Sequence, residues 1–233
     1  MANFSLRAQS NSKWKEPSKE SQAYHDYRAE NSEPSFGLKK VQTLIKKIKS
    51  DDEDNEKLDQ KNYSSLTLRE KFTYHMIHGE SYSQNCDAMP PIQDEHKKIF
   101  AQLPDAFGEY AWSDRQVNFF KNNRDSVIKF MEELILKDNR VGVNFKNAIV
   151  EMNAKEMIPF LIQTYNAAKK DRDILTVLLL LMKQNKYKPF LVSTSYKKLY
   201  GDDADYQSYL NFNTANEELI IKRVTDFYNG HKK

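Results

Sequence analysis

The chain has 233 residues, of which 30% are charged and 12% aromatic, with a formal net charge of +3 and a single cysteine. This length allows one large domain or two small ones, and the lone Cys86 excludes an internal disulfide framework. The chain contains only 6 Gly and 7 Pro, which favours helices over a turn-rich β fold. No apolar run approaches the ~20 residues that a transmembrane helix needs, so we expect a soluble protein.

The N-terminal segment is polar and begins with a possible processing site. The first nine residues end in Ala8-Gln9, and residues 10–35 continue with scattered Ser, Lys, Glu and two prolines. This start resembles the end of a Bacteroidetes-type signal peptide, in which cleavage before the Gln of an Ala-Gln pair is common, although an apolar segment before it is missing. The resemblance implies a periplasmic or exported protein, whereas a single cysteine also fits the cytoplasm. We expect residues 1–35 to be a disordered arm or a processed signal remnant.

Residues 36–112 are predicted to form irregular helices and loops. An amphipathic helix is expected over 38–49, where four aliphatic residues share one face and lysines surround the other. A second helix should begin at Thr67-Leu-Arg-Glu70, which has the spacing of a capping box, and run to about Gly79. The Pro- and Asn-containing stretch 81–91 indicates a long irregular connection. Residues 93–103 are predicted to form a short helix closed by Pro104.

Residues 113–233 carry the strongest helical patterns. A helix is expected to start at Ser113-Asp-Arg-Gln116, and two helix pairs follow. Their turns are at 137–140 and 169–172, and the Lys-Asp pairs in these turns, which end at Asp138 and Asp171, lie 33 residues apart. The partner helix of the second pair contains 174–182, which is apolar at eight of nine positions. A helix that is apolar on every side must be enclosed by other helices. The sequence therefore predicts an all-α fold with this helix at its core.

The second pair also carries a family resemblance. Met157-Ile-Pro-Phe-Leu-Ile162, followed by Asp171 and the apolar helix, resembles a HEAT-type helical repeat over about residues 123–187. The resemblance implies stacked antiparallel helix pairs, an α-solenoid, within a single helical domain over 36–233. The other interpretation is an irregular bundle with one near-repeat, since stable arrays usually need at least three repeats.

The candidates for chemistry lie near the end of the second predicted helix. His75 and His78 are three residues apart on one helix face, with Glu80 and Cys86 close behind. Such a group could bind a metal or supply a base and a nucleophile, which would make the protein a metal-dependent or Cys/Ser hydrolase. The order is not that of a zinc peptidase, and the chain has no nucleophile elbow, phosphate loop or dinucleotide motif. We therefore name these residues as weak candidates and predict neither a metal nor a cofactor.

The candidates for binding are basic residues at the two turns. Residues 121–200 contain 15 Lys and Arg against 8 Asp and Glu, whereas residues 1–120 contain 17 against 19. If the helix pairs stack, one edge of the array carries a cluster that we call the basic edge, namely Lys137, Arg140, Lys169, Lys170 and Arg172. It could receive an acidic protein segment, or these cations could simply offset helix dipoles. Nucleic acid is disfavoured because no accompanying motif occurs.

A further surface could be formed by tyrosines near the C-terminus. The aromatic residues of this tail are interspersed with aspartates and could form a recognition surface or cover the end of the helical stack. The aromatic residues are Tyr196, Tyr200, Tyr206, Tyr209 and Phe212, and the aspartates are Asp202, Asp203 and Asp205. Extended helical stacks offer surface more readily than a pocket. From the sequence we expect a non-enzymatic protein-binding or scaffold protein that uses its helical surface or basic edge. A hydrolase centred on His75, His78, Glu80 and Cys86 is the alternative.

Overall fold

A computed structural model describes residues 16–84 and 90–230, and it is mainly helical. Within these residues the α-helices are α1 Lys19–Ala29, α2 Leu38–Ile45, α3 Gln60–Ser64, α4 Leu68–Ile77, α5 Asp114–Asn122, α6 Arg124–Asp138, α7 Val143–Glu151, α8 Ile158–Ala168, α9 Asp173–Gln184, α10 Lys188–Leu191, α11 Thr194–Tyr200 and α12 Thr214–Gly230. Short 3-10 turns cover Glu95–Lys97 and Lys155–Met157. The strands are β1 Ser81–Tyr82, β2 Lys98–Phe100, β3 Tyr110–Ala111 and β4 Tyr209–Asn211. None of these helices combines the length and the apolar character needed to cross a bilayer.

Helix α9 lies at the centre of the main hydrophobic core. Every residue from Ile174 to Met182 except Leu180 is buried, each with at most 1% of its surface exposed. The helix packs against α7, α8, α10 and α12 and against strand β2. The prediction of an enclosed central helix is confirmed, because such a run is stable only where neighbours cover every side.

Helices α4 and α5 begin at the capping residues that the sequence predicts. Thr67 and Glu70 form the reciprocal pair of hydrogen bonds of a capping box at the start of α4, and Ser113 and Gln116 do the same at α5. Such boxes satisfy two of the amide groups that a helix start leaves unpaired. The capped starts of these two helices were therefore predicted correctly.

Residues 93–103 do not form the predicted helix. The segment instead contains a 3-10 turn followed by β2, which pairs antiparallel with β4 so that Ile99 faces Leu210 and Phe100 faces Tyr209. Ile99 and Phe100 are both buried, which suits a strand that is covered on both faces. The helix prediction was wrong because the partner strand lies more than a hundred residues further along the chain.

The expectation of a disordered arm is wrong for residues 19–35, whereas residues 1–15 lie outside the described part of the chain. Ser18 caps α1 by accepting a hydrogen bond from the Ser21 amide. Only three residues of α1 are buried, and one of them is Arg28. The following segment is pinned by Asn144, whose side chain exchanges hydrogen bonds with the backbone of Ser32. Polar contacts hold this segment, so it lacks the apolar pattern that normally predicts order.

A smaller hydrophobic cluster lies beside the main core. It is made by Val41, Leu58, Leu66 and Tyr74, so that α2 packs on α4. The lysines of α2 stay on the outer side, as the amphipathic pattern predicts, although the helix ends at Ile45 rather than at 49. The main core itself joins residues from α4 through to α12.

Candidate binding cleft

The two histidines of the candidate hydrolase site have different partners. Nε2 of His75 lies 3.0 Å from the hydroxyl of Tyr63, whereas Nε2 of His78 lies 2.6 Å from the carbonyl oxygen of Glu56. Among the described residues, no group of three His, Cys, Asp or Glu side chains is arranged to hold a metal ion. Cys86 lies outside the described residues. The described part of this cluster is thus engaged in local structure.

Glu80 is buried and serves as a structural anchor. Its carboxylate accepts hydrogen bonds from the hydroxyls of Tyr74 and Ser113 and from the guanidinium of Arg115. Burial together with this carboxylate raises the pKa of Tyr74 far above its ordinary value. Three side-chain donors thus converge on this one buried carboxylate. It joins the end of α4 to the start of α5.

The burial of His75 makes a pH-dependent contribution to stability. Burial, and secondarily Arg115 and Lys71, holds the pKa of His75 well below 6.5. Below about pH 6.5 the imidazole of His75 is protonated in the unfolded chain but stays neutral in the folded chain until the pH reaches its lowered pKa. In that interval the free energy of unfolding falls by about 1.4 kcal/mol per pH unit as the pH falls.

We expect His75→Phe to remove this loss while keeping an aromatic ring against Phe119. Between about pH 6.5 and pH 5, the free energy of unfolding of the natural protein should fall more than that of the variant, by at most about 1.4 kcal/mol per pH unit. Urea denaturation at both pH values measures the difference. If the free energy of unfolding fell equally with pH in the two proteins, His75 would be protonated in the folded state as well.

The basic edge brings its two turns together, but the chain itself occupies much of it. The Cζ atom of Arg140 and the Nζ atom of Lys170 lie 4.5 and 4.4 Å from the centre of the same ring, that of Tyr27 in α1. Arg140 also forms an ion pair with Glu30. Helix α1 therefore covers part of this edge.

Two other residues of the basic edge, Lys169 and Arg172, also have partners within the chain. Lys169 forms an ion pair with Glu217 at 2.8 Å, and Arg172 stacks 4.1 Å above the ring of Phe212. Lys137 is exposed on the last turn of α6. Binding of a partner at this edge stays a prediction, and four of its five residues already have contacts within the chain.

The structure forms a cleft that the sequence analysis did not foresee. It has a volume of about 460 Å³ and lies between α1 and the segment 90–109, with Tyr206 from the loop before β4 at its border. Its apolar lining residues are Ala29, Pro90, Ile92, Phe100, Leu103 and Pro104. Gln102, Asp105 and Glu109 are exposed polar residues of the same lining. Apolar walls with a few polar groups are typical of ligand sites.

An ionic cluster forms the buried side of the cleft. Nε of Arg28 donates to both oxygens of Asp173 at 2.9 and 3.0 Å, and its NH1 donates to Glu95 at 2.8 Å. The guanidinium lies 3.9 Å above the ring centre of Phe100. His25 and Arg28 offset the effect of burial on Glu95 and lower the pKa of its carboxyl. This wall is therefore charged, paired and fixed in position.

His25 is the residue of the cleft that comes nearest to catalytic chemistry. Its Nδ1 lies 3.1 Å from each carboxylate oxygen of Glu95, an arrangement that orients the ring as it does in general bases. The described residues that line the cleft include no Ser, Thr or Cys beside it. The groups that are present suit recognition of a bound molecule.

Sequence reasoning missed the cleft because its walls come from distant segments. His25 and Arg28 belong to α1, Glu95 to a 3-10 turn, and Tyr206 to a loop near the other end of the chain. The only signal was Tyr206, which was one of the tyrosines considered as a recognition surface. Comparisons of the chain with protein-family models, with curated proteins and with solved structures found no match.

Proposed function

We propose that this protein is a non-enzymatic binding protein that holds a short segment of another protein in the cleft beside α1. The observation that supports the proposal most is the pairing of an apolar wall, which includes Ile92 and Leu103, with an exposed tyrosine and exposed polar groups in the same lining. In protein interfaces, a few residues buried in a pocket usually supply most of the binding energy, and a polar rim surrounds them.

The rigidity of the cleft also supports binding. Phe100 is fixed in a strand, and the Arg28 ion pairs join α1 to the core behind it. A preformed site loses less conformational entropy on binding than a mobile one. The half-exposed ring of Tyr206, with 50% of its surface accessible, is available to close over a bound side chain.

We expect Leu103→Glu to abolish most of this binding. Random short peptides displayed on phage are selected against the natural protein, and the affinity of each selected peptide is then measured for the variant. A carboxylate in the apolar wall should lower the affinity at least about tenfold, which is about 1.4 kcal/mol. Tyr206→Ala, which changes an exposed side chain, should weaken binding in the same direction.

The matched control is Leu136→Glu. Leu136 is a leucine on α6 with 66% of its surface exposed, outside the cleft, so the same substitution there tests for a general effect of added charge. Thermal unfolding checks that each variant is folded. Peptides that bind Leu103→Glu and Tyr206→Ala as well as they bind the natural protein would exclude the cleft as the binding site.

A further inference from the structure

A second depression adjoins the cleft and has the opposite charge. It has a volume of about 510 Å³ and shares Ile92 with the cleft, while Tyr206 of the cleft and Gln207 of the depression are neighbours in one loop. Its lining includes two lysines, Lys98 and Lys198. A segment that leaves the cleft past Ile92 therefore meets a basic surface.

The two lysines lie around one tyrosine ring. Nζ of Lys98 is 4.4 Å and Nζ of Lys198 is 5.6 Å from the ring centre of Tyr209. Lys98 comes from β2, and Lys198 comes from the last turn of α11. Tyr209 belongs to strand β4, so two separate elements each place an ammonium group near the same ring.

Lys98 is partly removed from water and has binding capacity beyond its present bond. Its Nζ donates to the carbonyl oxygen of Gln93 at 2.6 Å, which uses one of the three N–H groups of an ammonium. Burial lowers the pKa of Lys98, and the more distant Asp94 and Glu95 offset this only in part. An anion placed beside Lys98 would compensate the lost hydration.

Among the described residues that line the depression, the one carboxylate, Asp205, already binds groups of its own loop. Oδ1 of Asp205 accepts hydrogen bonds from the amide of Gln207 at 2.9 Å and from the hydroxyl of Ser208 at 3.2 Å. In the cleft, by contrast, Asp105 and Glu109 add negative charge to the border. An acidic residue of a bound segment is thus repelled from the cleft and attracted to the depression.

We propose that Lys98 and Lys198 form an anion subsite that binds the carboxylate of an Asp or Glu in the same partner segment whose apolar residue occupies the cleft. This inference rests on the proposed function, and it adds the chemistry of the partner: an apolar residue and an acidic residue at a fixed spacing. The subsite gives the binding a direction, because only one orientation of the segment brings its acidic residue to the two lysines.

The peptides selected on the natural protein test the inference. They should share an acidic residue at one spacing from the apolar anchor, and Lys98→Gln/Lys198→Gln should lower their affinity on the order of tenfold. Changing the acidic residue of the peptide to its amide should give the same loss in the natural protein and no further loss in the double variant. Added salt should weaken the binding of the acidic peptide more than that of the amide.

The matched control is Lys97→Gln/Lys197→Gln, which removes two exposed charges at neighbouring positions outside the depression. An equal loss in the control, or selected peptides without an acidic residue, would overturn the subsite. The cleft would still be the binding site if those peptides lost affinity for Leu103→Glu. Peptides that bind without needing Leu103 or Tyr206 would overturn both the proposed function and the subsite.

Discussion

Replacing Arg28 by methionine is expected to lower the free energy of unfolding by about 3–5 kcal/mol, the usual cost of removing one partner from a buried ion pair. Arg28 has 7% of its side chain exposed, and it pairs with Glu95 and Asp173, whose side chains are 2% and 1% exposed. The variant leaves two buried carboxylates without their cation. It should also loosen α1, because apolar burial contributes little to the position of this helix.

Urea denaturation measures the loss, and hydrogen exchange of the α1 amides shows whether that helix opens before the rest. Lys222→Met is the control, since it removes a cation that pairs with Asp226 on the exposed side of α12 and should lower stability only slightly. A similar small loss for Arg28→Met would mean that the ion pairs do not hold α1 in place.

Lys146→Met is expected to cost a similar 3–5 kcal/mol, because Lys146 and Asp171 form a buried pair at 2.8 Å with 1% and 7% of their side chains exposed. Replacing both residues, as Lys146→Met/Asp171→Leu, should recover most of the loss, since neither charge of this pair is then left buried without its partner. The double-mutant cycle separates the pair from its surroundings. If the double variant lost as much stability as the two single variants together, the account of this ion pair would be contradicted.

The single variant should also respond to pH. Burial raises the pKa of Asp171 above its ordinary value, and Lys146 offsets part of that rise. A carboxyl whose pKa is higher in the folded than in the unfolded chain makes the folded state bind more protons, so stability rises as the pH falls. Without Lys146 this rise should be larger, and unfolding midpoints measured from neutral to mildly acidic pH would reveal it.

The helical part of the fold could be predicted because its signals are local. The apolar run of α9, the amphipathic pattern of α2 and the capping residues of α4 and α5 each determine structure within a few residues. The HEAT-like arrangement of the helix pairs is a statement about long-range stacking, and it stays a prediction.

The remaining parts of the fold could not be predicted because distant residues stabilise them. Helix α1 is polar, and its order depends on Asp173, which lies 145 residues away. Strand β2 requires its partner β4 from the far end of the chain. The cleft depends on both elements, so no local pattern could reveal it. The basic edge was predicted from charge alone, which could not show that Arg140 and Lys170 both contact the ring of Tyr27.

The most direct test of the central claim is to map where a selected peptide binds. Amide resonances of the isotope-labelled protein are followed by NMR as the peptide is added. Binding in the cleft predicts shifts at Ala29, Gln102, Leu103, Gly108 and Tyr206, which all line it. Shifts confined to the turns at 137–140 and 169–172 would instead place the partner on the basic edge and contradict the account.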